Sequence, residues 1–205
     1  AHTGSKKSSL QISGSKLSGR KIFIYAGNMG VAQGIDMLFK LPLLLRDRQD
    51  IGFVFVGRGS EMEKYKMHPD YQNLDNIIFH NQIDADEIPS LYDQCHIGML
   101  SLDIRHKTHN IPGKFLSYIA SGLPVLASVN PQNDLISLIE GSNTGKVISN
   151  GSITSFLDKA NALIDSLDEF DINLNCKKLS KDLFQPSSAV NQIKESIENY
   201  NLNKI

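Results

Sequence analysis

Short apolar runs alternate with amphipathic stretches along most of the chain. Lys21-Ile22-Phe23-Ile24-Tyr25-Ala26, Ile51-Gly52-Phe53-Val54-Phe55-Val56 and Asn76-Ile77-Ile78-Phe79-His80 are of strand length and nearly all apolar. So are His96-Ile97-Gly98-Met99-Leu100-Ser101, Pro124 to Ser128 and Gly145-Lys146-Val147-Ile148. Strands hidden on both faces read this way, because neither side meets water. Helical patterns fill the gaps. Ile35, Leu38 and Leu41 mark one, Ser60 and Glu63 have capping-box spacing for the next, and Asp84 or Asp86 opens a helix through Leu91. Asn130-Pro131 starts another, and Ser152 caps a helix with Ile153, Phe156, Leu157, Ala160, Leu163, Ile164 and Leu167 on its apolar side. Residues 173–184 and 186–200 read as two closing helices, the second striped with Val190, Ile193 and Ile197.

Strand and helix in alternation predict an α/β fold. The expected architecture is a doubly wound, Rossmann-like parallel sheet of about six strands with helices on both faces, since parallel strands need crossovers and those are right-handed. Residues 1–20, rich in Ser, Gly and Lys and without an aromatic residue, read as a flexible linker or appended arm, and 21–205 as one domain. Ligands in such sheets sit outside the carboxyl ends of the strands. The loops at 27–34, 57–60, 80–84 and 102–114 are therefore expected to converge on one crevice.

The stretch from Asn110 to Ser128 carries the most information. Asn110 suits a helix cap, Pro112 a first turn, and Gly122 a left-handed stop before a strand opened by Pro124. An Asn-x-Pro-Gly-Lys entry puts unpaired backbone N–H groups, a glycine and Lys114 at a helix N-terminus, which suits an anion such as a diphosphate. A plain capped helix with a solvated lysine fits the same residues. Gly27-Asn28-Met29-Gly30 is open in the same way, either admitting a ligand phosphate or sugar to the backbone or simply making a tight turn. Arg58 in Gly57-Arg58-Gly59 is a phosphate or base contact, or a solvated turn residue.

Composition narrows the classes. Lys+Arg at 21 against Asp+Glu at 22 gives a formal charge of -1, so no overall basic field argues for nucleic acid. Cys95 and Cys176 lack metal-type spacing and fit two unpaired thiols in a reducing compartment. With no long apolar run, a cytoplasmic location is expected. Neither GxGxxG nor GxxxxGK[ST] is present, which disfavours NAD binding and P-loop ATP hydrolysis, and no GxSxG elbow supports nucleophilic hydrolysis. His106 and His109 near Asp103 have metal-like spacing but no further ligand cluster, so no metal and no cofactor are expected. His80 and His96 read as edge or core histidines.

Taken in order, the fragments YAGNMGVAQGID, FVFVGRGSEMEK, NIIFHNQIDADEIPSLYDQCHIGMLSL, NIPGKFLSYIASGLPVLAS and DLISLIEGSNTGKVISNGS resemble the C-terminal, donor-binding half of a retaining glycosyltransferase of the GT-B fold, group 1 type. The second is similar to "FVGxGxE", the fourth to the signature "PSKxxEYMAxGxPVxA", and the fifth to "xIIExxxxGxVVxxGD". The resemblance implies a nucleotide-sugar, with a UDP-linked donor expected, held at Gly27, Asn28, Gly30, Gln33, Arg58, Gly59, Asn110, Pro112, Gly113, Lys114 and Ser117. It departs at telling places. Asn28 and Gln33 stand where many members carry an Arg and a Lys that grip the diphosphate, and His109 and Ser117 stand where many carry a pair of glutamates.

The implied reaction is sugar transfer to an acceptor in polysaccharide or glycolipid synthesis. An N-terminal acceptor domain would be the partner, the acceptor a lipid-linked one at the inner membrane face, and this half alone is expected to be inactive. A sugar-nucleotide 2-epimerase half and a non-catalytic nucleotide-binding module are the alternatives.

Overall fold

A computed structural model describes residues 6–103, 111–167 and 171–184. Its strands are β1 (Lys21–Asn28), β2 (Ile51–Arg58), β3 (Ile77–Asn81), β4 (Ile97–Ser101), β5 (Val125–Ser128) and β6 (Gly145–Ile148). They form one parallel sheet in the order β3-β2-β1-β4-β5-β6. The strand order reverses between β1 and β4, so a crevice opens there beyond the carboxyl ends. The expected six-stranded, doubly wound sheet is what the chain forms.

Alternation along each strand divides the core in two. Phe23 and Tyr25 of β1 face one side with Phe53, Phe55, Met99 and Leu126. That side is covered by α1 (Asp36–Leu44), α2 (Ser60–Met67), α3 (Pro69–Gln72) and α7 (Ile153–Ser166), through residues such as Phe39, Met62, Tyr71 and Phe156. Phe39 stacks on Phe55 at 4.5 Å and on Tyr65 at 4.1 Å between ring centroids. Ile22, Ile24 and Ala26 face the other side with Val54, Val56, Val125 and Ala127. There α4 (Ile88–Tyr92), α5 (Gly113–Ala120), α6 (Asp134–Gly141) and α8 (Ile172–Phe184) supply Leu91, Phe115, Tyr118, Ile139 and Cys176.

Residues 6–20 are part of the packed structure and not the free arm that their composition suggests. Leu10, Ile12 and Leu17 enter the second core, Leu17 with 0% exposure. Three apolar positions suffice because the segment finds polar partners in the turns before and after α4. The Ser9 N–H donates to Glu87 Oε2 at 2.6 Å, and the Ile12 N–H to Gln94 Oε1 at 2.8 Å. Lys6 pairs with Asp84 and Glu87 at 3.1 and 3.4 Å. A composition rich in Ser and Gly describes a backbone that bonds outward, and only the fold shows to what.

Helix starts also shift. Gly59, not Ser60, occupies the cap of α2, and the Glu61 N–H donates to the Met29 carbonyl instead of to a capping side chain. Asp84 precedes a 3₁₀ turn over Ala85–Glu87 without a side-chain cap bond, and α6 is capped by Asn133, which accepts from the Leu135 N–H at 3.0 Å, rather than started at Asn130. Ser152 caps α7 as expected, accepting from the Ser155 N–H at 3.2 Å. The helix read over 186–200 lies outside the described residues.

His96 is a structural side chain, its Nδ1 accepting the Ile22 N–H at 3.0 Å. Both cysteines are buried and free, and burial raises both thiols, Cys176 up to about 12. Since only the thiolate is a nucleophile, neither is expected to react with Ellman's reagent at pH 8 in the native chain, and both should react once guanidinium unfolds it. A thiol titrating rapidly without denaturant would contradict their burial.

Candidate functional site

Two of the expected loops are joined before any ligand arrives. β1 and β2 pair in register through Gly27 with Gly57 and Asn28 with Arg58. The Met29 N–H then donates to the Arg58 carbonyl at 2.8 Å, and the Glu61 N–H to the Met29 carbonyl at 3.0 Å. The backbones meet so closely that a Cβ on Gly57, whose φ is 152°, would collide with the Gly27 carbonyl. The result is one continuous shelf at the carboxyl edge of the sheet.

α5 approaches that shelf with its N-terminus. Pro112 takes the cap position with extended φ of -66° and ψ of 140°, one residue before the first turn where it was expected, and the helix begins at Gly113. Gly122 holds the left-handed φ of 79° that its stop requires. The first N–H groups of a helix have no intrahelical acceptor, so the end of α5 offers donors and positive potential.

Lys114 extends from this first turn across Gly27. Its Cε would lie 2.8 Å from a Cβ at position 27, so the glycine is what lets the lysine cross the shelf. Nζ stands 5.1 Å from the centroid of the Tyr25 ring, at a cation–π separation. The Tyr25 hydroxyl in turn donates to the Asn28 carbonyl at 2.9 Å, fixing the ring under the loop. No carboxylate among the described residues pairs with Lys114, and desolvation lowers its pKa. A desolvated ammonium that meets, among the described residues, a ring face and no carboxylate is well placed to gain from an arriving anion.

The wall beyond is apolar and hydroxylic. Tyr92 and Tyr118 lie 5.1 Å apart between centroids. The Tyr118 hydroxyl accepts the Ala26 N–H at 3.4 Å. Ser117 lies beside the Tyr92 phenol, which burial pushes up to about 12, so it stays neutral. Ser117 therefore presents a neutral hydroxyl to the cavity where a glutamate would present charge.

An open cavity of about 450 Å³ lies between the shelf, the start of α5 and Tyr92. Of the residues expected at a donor site, Gly27, Asn28, Arg58, Gly113, Lys114 and Ser117 line it. Gly30 and Gln33 do not: they flank and end the short 3₁₀ turn over Val31–Gln33, beside the shelf. Gly59 packs behind Met29, and Pro112 serves as the helix cap. Asn110 lies outside the described residues, as do His106 and His109. Sequence reasoning named the 80–84 loop but missed its side chains and those after it: Gln82, Ile83, Ala85, Ile88 and Tyr92 also line the cavity. Their signal was weak because apolar residues around a short helix read first as core. Among the described residues, no group of three or more His, Cys, Asp or Glu side chains could hold a metal ion.

A switch-point crevice with a glycine shelf, a helix N-terminus and Lys114, which has no carboxylate partner among the described residues, marks a Rossmann-like domain. The chain belongs to the family described as Glycosyl transferases group 1, whose model matches residues 20–166. A curated relative, the probable glycosyltransferase WbjE of Pseudomonas aeruginosa, is 20% identical over 127 residues, which cover 62% of this chain and 32% of that protein. The chain thus spans about a third of that relative's length.

Solved structures share the fold. The C-terminal domain of LpcC, a group 1 family protein from Francisella tularensis, is 21% identical with a TM-score of 0.63, the match covering 82% of this chain and 87% of that domain. WaaG, a glycosyltransferase of lipopolysaccharide biosynthesis, is 17% identical at TM-score 0.62 over 87% of this chain and 47% of that one. HepE of Anabaena, solved with UDP, is 16% identical at TM-score 0.64, covering 89% of this chain and 50% of its own.

Proposed function

We propose that this chain is the donor-binding half of a glycosyltransferase that takes a sugar from a nucleotide diphosphate, a UDP-sugar, and hands it to an acceptor in polysaccharide or glycolipid synthesis. The observation that carries the reading is Lys114, held across Gly27 at the N-terminus of α5 with no carboxylate partner among the described residues. Membership of the group 1 family and the UDP bound to HepE support it. The diphosphate would lie on the shelf between Lys114 and Arg58, and the nucleoside along Ile83, Ile88 and Tyr92.

In this reading the protein stabilises the leaving diphosphate by preorganised N–H groups and one ammonium, which strengthen as charge develops on the leaving oxygen. The acceptor, lipid-linked at the inner membrane face, would be held by a partner domain, so no turnover is expected from these residues alone. No described helix is long and apolar enough to cross a membrane. A non-catalytic nucleotide-binding module is the second reading, favoured by the neutral Ser117 standing where the resemblance expects a glutamate.

Calorimetry against UDP, GDP and ADP tests the proposal. UDP is expected to bind best, and Lys114→Met to weaken it by about 1–3 kcal/mol, the range of a charge-assisted bond. No binding of any of the three nucleotides would defeat both readings. Affinity should also fall with rising pH. The free-state amine is depressed by burial, an arriving diphosphate favours its charged form, and above the lowered pKa binding must recruit a proton. Lys114→Met should flatten that dependence.

A further inference from the structure

α8 has two faces of opposite kind. Ile172, Cys176 and Ser180 are buried, whereas Leu174, Lys177, Lys178, Lys181 and Phe184 follow one another at helical spacing on the outward side. Leu174 and Phe184 are each 59% exposed, so two large apolar side chains bracket three lysines. A cavity of about 480 Å³ lies between this face and the end of α5, lined by Ala120, Leu174 and the three lysines. None of these lysines pairs with a carboxylate among the described residues.

We propose that this face of α8 docks on an anionic phospholipid bilayer. The ammoniums of Lys177, Lys178 and Lys181 would meet headgroup phosphates while Leu174, Phe184 and the aliphatic lysine stems around the cavity enter the acyl boundary. Charge and apolarity interleaved on one helix face favour this occupant over others. A second copy would set lysine against lysine. An apolar partner would desolvate three ammoniums without pairing them, and a purely acidic one would leave Leu174 and Phe184 uncovered. The inference deepens the membrane-face part of the proposed function, but it stands on α8 and not on the nucleotide crevice.

Vesicle co-sedimentation of the 205-residue chain, without nucleotide, tests it. The chain is expected to bind phosphatidylcholine vesicles containing phosphatidylglycerol, to ignore phosphatidylcholine alone, and to weaken with salt. Replacing Lys177, Lys178 and Lys181 together by Gln should lower the partition coefficient about 100-fold, since each lysine near the surface contributes about fivefold. Leu174→Ser with Phe184→Ser should remove the binding that persists at high salt. All five side chains are solvent-facing, so unchanged urea midpoints would show that folding is intact. Equal binding to neutral vesicles, a triple variant that partitions like the parent, or polyglutamate binding as tightly as vesicles would overturn the proposal. Because no nucleotide enters the assay, its failure leaves the donor reading standing, and loss of UDP binding leaves this one standing.

Discussion

Gly57→Ala is expected to destabilise the chain by about 2–4 kcal/mol and to abolish UDP binding. Two causes act together. The new Cβ would sit against the Gly27 carbonyl, a backbone atom that cannot turn aside, and alanine would have to hold a φ of 152°. Relief requires β1 and β2 to part at the end of their register, where Gly27 faces Gly57. The Met29–Arg58 and Glu61–Met29 bonds would be lost with it, and the shelf beneath Lys114 would move. Urea unfolding and calorimetry check the two halves. A midpoint like the parent's would show that the strands open there without cost.

Leu17→Ala should cost about 2–5 kcal/mol, the range for truncating a large side chain in a packed core. Leu17 is fully buried, and its side chain also lies against Gly52 on β2, so the void would open beneath the sheet rather than at the surface. The same substitution in a loose arm would change nothing measurable. The urea midpoint therefore distinguishes the segment seen here from the linker that its composition suggests.

Much of this fold is legible in the order of residues. Buried parallel strands must be apolar on both sides, so β1, β2 and β4 could be recognised without knowing their neighbours. The C-terminal end of α5 was legible too, because Gly122 frees the backbone for its stop, but the start was read early, with Asn110 as cap where Pro112 takes that position. Caps fared worse. Ser60 and Asn130 satisfy the local rule for a helix start, yet the Met29 carbonyl and Asn133 take those roles, since an orphan N–H accepts any oxygen that the tertiary structure brings close.

The candidate site divides in the same manner. Lys114, Gly27, Asn28 and Arg58 could be named because glycine turns and a helix entry announce themselves over a few residues. Ile83, Ile88 and Tyr92 could not, since an apolar side chain has one appearance in sequence whether it lines a cavity or fills a core. By itself the sequence determined the strands, their alternation with helices and the anion-suited entry to α5, all of which follow from short-range sterics and periodicity. Only the tertiary structure decided that Leu10, Ile12 and Leu17 are core, that Lys114 lies over Tyr25 across Gly27, and that Ile83, Ile88 and Tyr92 line the cavity. Those are contacts between residues far apart in the chain, and packing sets them.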